Sequence, residues 1–159
     1  MWQDRAKTLA EIAKFSKRDA EAFPRYEDHL EKLAVVVESL LLTTPPAFPP
    51  KSPGDFIEYL KIAGRTRGLN RKELVGLVKI FTQSAADFLN EWFESEEVIV
   101  TLATDGVIGA NGGPKSAGTA YILLHHCMGG IDGHRGLWGF VRGGMGAVSS
   151  ALTNAARTA

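Results

Sequence analysis

Apolar positions recur along the chain at helical spacing and divide it into a series of short amphipathic helices. Thr8 to Phe15 makes a first helical pattern, and Ser16 then caps a longer one with Asp19 at the capping-box position, where a carboxylate also suits the helix dipole. Beyond it Tyr26, Leu30, Leu33, Val37, Leu40 and Leu41 keep one face and carry the helix to about Leu42. Pro24 is expected to kink or interrupt it, because proline removes a helical hydrogen bond and clashes with the preceding turn. Thr43 to Pro50 holds four prolines and predicts a rigid, extended spacer.

Asp55 to Ala63 reads as a short helix ending near Gly64, followed by a basic turn, Arg65 to Gly68. Asn70 with Glu73 has capping-box spacing, and Leu74, Leu77, Val78 and Phe81 follow on one face. Ser84 with Asp87 restarts a helix whose Phe88, Leu89, Trp92 and Phe93 form an aromatic face. Ser95, followed by Glu96 and Glu97, opens another to about Ile108, and Asn111 to Pro114 is a turn. A helix is expected from Ser116 to Met128, then a glycine-rich loop, a strand from Leu137 to Val141 and a final small-residue helix. The chain is thus mainly α with one or two short strands: a helical region over 1–110, and a glycine-rich strand and helix over 111–159. A lone strand needs a partner, and no stop signal follows Ser149. Both features lead us to expect a piece of a larger protein.

Composition sharpens the division. Residues 1–98 carry 30 of the 36 charged side chains, while 13 of the 17 glycines lie at or after Gly106. The first part reads as solvated helices, the second as buried or ligand-facing structure. With 18 basic and 18 acidic side chains the formal net charge is zero, so the chain offers no excess with which to neutralise a nucleic-acid backbone. No apolar run of membrane-spanning length and no secretory leader pattern is present. A single cysteine, Cys127, cannot pair within the chain and points to the cytoplasm or an equivalent reducing compartment.

Few constellations carry chemistry. His125, His126 and Cys127 are adjacent, and neighbours on a helix diverge by about 100°, so no metal site is expected of them. Cys127 on an apolar helix reads as a small hydrophobe, and Glu94, Glu96 and Glu97 as a charge run favoured at a helix start. Arg65, Arg67, Arg71 and Lys72 form a basic cluster that reads as a solvated face. Gly144 to Ser149 follows the expected strand and opens a helix, the setting of a dinucleotide fingerprint, but Ser149 stands where its third glycine belongs. Tyr121, His125, Met128, Trp138 and Phe140 flank glycines, and mark either core or the wall of a cavity for a flat or apolar molecule.

Three stretches together carry a resemblance: IAKFSKRDAEAFPRYEDHLEKLA at Ile12 to Ala34, LNEWFESEEVIVTLATDGVIGA at Leu89 to Ala110, and YILLHHCMGGIDGHRGLWGFVRGGMGAVSSAL at Tyr121 to Leu152. They resemble the interior of phytoene desaturase-related FAD-dependent oxidoreductases. The resemblance implies the substrate-binding or lid region of a larger α/β flavoprotein that takes two electrons from a largely apolar substrate. It further implies that Trp138, Phe140 and Arg142 line the substrate cavity, and that Gly143, Gly144, Met145 and Gly146 form a hinge close to the cofactor. FAD is then expected in the parent protein but not tightly bound to this chain, which is expected to be inactive alone. The apolar segment 99–159, cut free, is expected to make it a homodimer. The alternative is a helical module that binds a partner or an apolar ligand without catalysis.

Overall fold

The structure, a computed structural model, describes Trp2 and residues 4–131, 134–136 and 139–158. Eight helices and one small hairpin are present among them. Helix α1, Arg5–Ile12, starts earlier than the apolar spacing suggests, because the Asp4 carboxylate accepts the N–H groups of Ala6 and Lys7 and caps it. Helix α2, Lys17–Glu38, opens at Ser16, whose hydroxyl accepts the Asp19 N–H. It runs unbroken through Pro24, contrary to the expected interruption. Packing outweighs the lost hydrogen bond there: Phe23 and Tyr26, flanking the proline, are both buried in an aromatic cluster with Trp92 and Phe93. Beyond Glu38 the chain continues to Thr43 only in three-residue turns, so the helix ends short of Leu42.

Helices α3, Pro53–Arg65, and α4, Arg71–Thr82, each begin with a full capping box, Ser52 with Asp55 and Asn70 with Glu73. Helix α5, Ala85–Asn90, is capped by Ser84, and α6, Glu96–Ala103, by Ser95. Helix α6 stops short of Ile108 because residues 104–110 turn over in three-residue steps. Helix α7, Ala120–His126, is likewise shorter than expected. Thr119 turns its hydroxyl to the Ser116 carbonyl and accepts the Ala85 N–H, holding the preceding segment in turns against α5.

The core is built on α2. Leu30, Leu33, Ala34 and Val37 meet Ile80 of α4, Phe88 and Leu89 of α5, Val98 and Leu102 of α6, and Leu123 and Leu124 of α7. Tyr26 stands edge-on to Phe93 with centroids 5.1 Å apart. Full burial of side chains such as Leu33 and Phe88 contributes about 2–3 kcal/mol each and supplies most of the stability these short helices lack alone.

The strands fall elsewhere than expected. Strands β1, Gly130–Ile131, and β2, His134–Arg135, pair antiparallel with Gly130 opposite Arg135. Of the expected strand, Leu137 lies outside the described residues, while Gly139 to Val141 belong to no strand. Phe140 there is 93% exposed, and among the described residues no strand lies beside it to complete a ladder. Helix α8, Met145–Thr158, follows the glycines as expected and buries none of its residues; α3 also buries none.

Candidate substrate-facing site

Helix α4 carries apolar residues on two sides, LVGLVKIF from Leu74 to Phe81. Periodicity alone assigns Leu74, Val78 and Phe81 to its inner face; the structure turns them outward with Val75 and buries Gly76 and Ile80, with Leu77 against the core. Gly76 explains the choice. A Cβ there would lie 2.6 Å from Cε1 of His29, so glycine makes room for that ring between α2 and α4.

The outward face continues onto α7. Phe81 stacks on Tyr121 with centroids 5.2 Å apart and planes 19° from parallel, and His125 follows at 6.1 Å from Tyr121. Two of the residues singled out from sequence, Tyr121 and His125, are thus brought together beside an apolar strip whose Val78 is 63% exposed. Tyr121 and Met128 are both partly buried against the edge of the core. Phe140 and Arg142 are exposed, and Trp138 lies outside the described residues. Gly143 and Gly144 adopt φ of 87° and 71° and turn the chain into α8, with Gly144 donating its N–H to the Val141 carbonyl. Met145 and Gly146, the first residues of α8, are exposed.

A separate cleft of about 510 Å³ opens between α1, α2, α6, α7 and the hairpin, with Phe23, Leu30, Leu102 and Leu123 on its apolar wall. Arg5 enters it and pairs with Glu27 at 3.0 Å and Asp28 at 3.5 Å. Burial raises the Glu27 carboxyl above its ordinary value, against the opposing pull of Arg5. The hairpin is pinned beside this cleft by Glu38, which accepts the Gly129 N–H at 3.0 Å and pairs with Arg135 at 2.6 Å. Those two contacts, the arginine first, hold the Glu38 carboxyl below its usual range. Cys127 also lines the cleft, and burial, reinforced by Asp105 and Glu27, pushes its thiol up to about 11. At neutral pH it is therefore protonated, a poor nucleophile and a poor redox thiol.

Among the described residues no three His, Cys, Asp or Glu side chains gather as a metal site, and no helix is long and apolar enough to cross a membrane. Sequence reasoning missed the outward strip of α4 and the cleft on α2. The first had a signal, since a helix apolar all round has two faces to cover.

Curated relatives match nearly the whole chain. Pyridine nucleotide-disulfide oxidoreductase domain-containing protein 2 of Rattus norvegicus is 38% identical over 162 residues, covering 96% of this chain and 27% of the relative. The protein of the same name from Mus musculus is 38% identical over 164 residues, covering 98% of this chain and 28% of the relative. No protein-family profile matches the chain, and no solved structure does. The chain is a homologue of one helical segment, somewhat over a quarter of the length, of pyridine nucleotide-disulfide oxidoreductase domain-containing protein 2.

Proposed function

We propose that the chain acts as the substrate-facing segment of an FAD-dependent oxidoreductase of the phytoene desaturase-related type, removing two electrons from a largely apolar substrate. The observation that carries this reading is the exposed strip of α4 running through the Phe81–Tyr121 stack to His125, an apolar surface ending in an aromatic and an imidazole. Homology to a segment of an oxidoreductase supports it. Residues 1–110 then form the substrate region, and residues 111–159, with Trp138, Phe140 and Arg142 at the cavity and Gly143 to Gly146 at the hinge, lead toward the cofactor.

The described residues of this chain do not fit the flavin itself. The described residues hold no parallel βαβ unit, and the Gly143–Gly144 turn opens α8 without a paired strand before it, so the pyrophosphate cradle is incomplete. Flavin, when bound elsewhere in such an enzyme, accepts the hydride. The part of this segment is to hold the substrate and exclude water from it. A reducing compartment belongs to the same reading, and so does two-fold association of the chain through Trp138, Phe140 or the segment from Ser116 to Met128.

The test is titration with cis-parinaric acid, a fluorescent fatty acid whose long hydrocarbon chain serves as a probe for a largely apolar ligand. Saturable binding is expected, weakened at least tenfold by Val78→Asp, whose side chain lies in solvent and leaves the core untouched. Absence of saturable binding, or equal binding by the variant, overturns the assignment.

A further inference from the structure

Helix α3 is amphipathic yet leaves its apolar face in solvent. Phe56, Ile57 and Leu60 share one face at positions i, i+1 and i+4, all exposed, with Leu60 at 72%. The helix is nevertheless firmly begun. Asp55 accepts the N–H groups of Ala47, Lys51 and Ser52, and the Tyr59 hydroxyl donates to the Ala47 carbonyl, strapping the proline-rich segment to the helix. That strap carries Phe48, 90% exposed, and begins beside Leu42, 99% exposed. Five large apolar side chains thus stand in solvent within 19 residues, on a structured rather than a frayed element.

The charge around them is one-sided. Leu42 to Thr82 contains seven cationic and three anionic side chains, an excess of four in a chain whose formal net charge is zero. Arg65, at the end of α3, and Arg67, Arg71 and Lys72 beyond it have no acidic residue between them, and none makes an ion pair among the described residues. The neighbouring Glu73 is already engaged by Lys32 and by the Asn70 N–H.

We infer that α3, with its strap and the basic residues from its end to the start of α4, Arg65, Arg67, Arg71 and Lys72, is an interfacial anchor for an anionic lipid surface. Such a surface supplies both complements at once: hydrocarbon for Phe48, Phe56, Ile57 and Leu60, and phosphate charge for four unpaired cations. At 13 residues α3 is too short to span a bilayer and suits a helix lying in the headgroup plane. The inference is independent of the α4–α7 reading, which concerns a different helix face and a largely apolar small molecule.

Vesicle sedimentation of the full chain tests it, with phosphatidylcholine alone against phosphatidylcholine containing about 30% phosphatidylglycerol. The chain is expected to pellet with the anionic vesicles only, and to be released at about 0.5 M salt. Arg65→Gln with Arg67→Gln is expected to weaken binding by about tenfold or more, and Ile57→Ser with Leu60→Ser likewise, all four positions being exposed. Phe56→Trp is expected to shift its emission to the blue on anionic vesicles. Failure to pellet, or equal pelleting by both double variants, overturns the anchor. So does light scattering that shows a dimer dissolved by Ile57→Ser with Leu60→Ser while no vesicle binding occurs, because α3 would then meet a second copy.

Discussion

The buried carboxylate of Asp19 accepts the backbone N–H of Ser95 at 2.9 Å, joining the first turn of α2 to the cap of α6 across 76 positions of sequence. The same carboxylate takes the Glu94 N–H at 3.0 and 3.2 Å. Asp19 sits at the capping-box position of its own helix, yet its oxygens serve another helix. Asp19→Ala leaves two backbone donors unsatisfied and is expected to cost about 3 kcal/mol in urea unfolding.

Gly76→Ala sets helix propensity against space. Alanine favours the helix by about 1 kcal/mol, but its Cβ would meet the His29 ring and drive it from its place 5.4 Å from Trp92. Net destabilisation of about 1 kcal/mol is expected. In a His29→Ala background the ring is gone, and the same change is expected to become stabilising. A double-mutant cycle reads that reversal of sign.

His29 also makes stability depend on pH. Burial lowers its folded pKa below 6.5, outweighing the pull of Glu73. The unfolded chain therefore binds the proton first as pH falls. The contribution is full above 6.5 and is lost as pH drops through the folded value. His29→Gln is expected to flatten the decline of Tm below pH 6.5, measured against the parent chain over the same range.

Cys127 is expected to resist thiol reagents. With its thiol near 11, the thiolate fraction at pH 8 falls about two orders of magnitude below that of free cysteine. Reaction with an aromatic disulfide, followed by absorbance, is expected to be slow in the native chain and to become fast in denaturant.

FAD added to the isolated chain is expected to keep its free fluorescence, because the described residues build no pyrophosphate cradle. Saturable quenching at low micromolar concentration would promote the Gly144 to Ser149 turn to a nucleotide site.

How much of this was legible depended on local chemistry. Ser16, Asn70, Ser84 and Ser95 each open a helix in the structure, since a cap needs only its own side chain and the next three residues. Pro24 misled because the aromatic packing that carries α2 past it comes from Trp92 and Phe93, far along the chain. The orientation of α4 was hidden for the same reason: Gly76 means little until His29 is beside it. The hairpin has a local signal in the sequence, since Asp132-Gly133 between Ile131 and His134 is a dipeptide favoured in two-residue hairpin loops. Of the candidate residues, Tyr121 and His125 share one helix and their proximity follows from its pitch. The strip of α4 beside them depends on tertiary contacts.

The clasp at Glu38 joins residues 91 and 97 positions apart, farther along the chain than the Asp19 contacts with α6. Closing so long a loop has an entropic cost before it returns any contact energy, whereas each capped helix can nucleate locally. The clasp can therefore form only once α2 and the hairpin segment have been brought together, and the wall of the cleft that Arg135 and Gly136 supply depends on the far end of α2 rather than on any local turn.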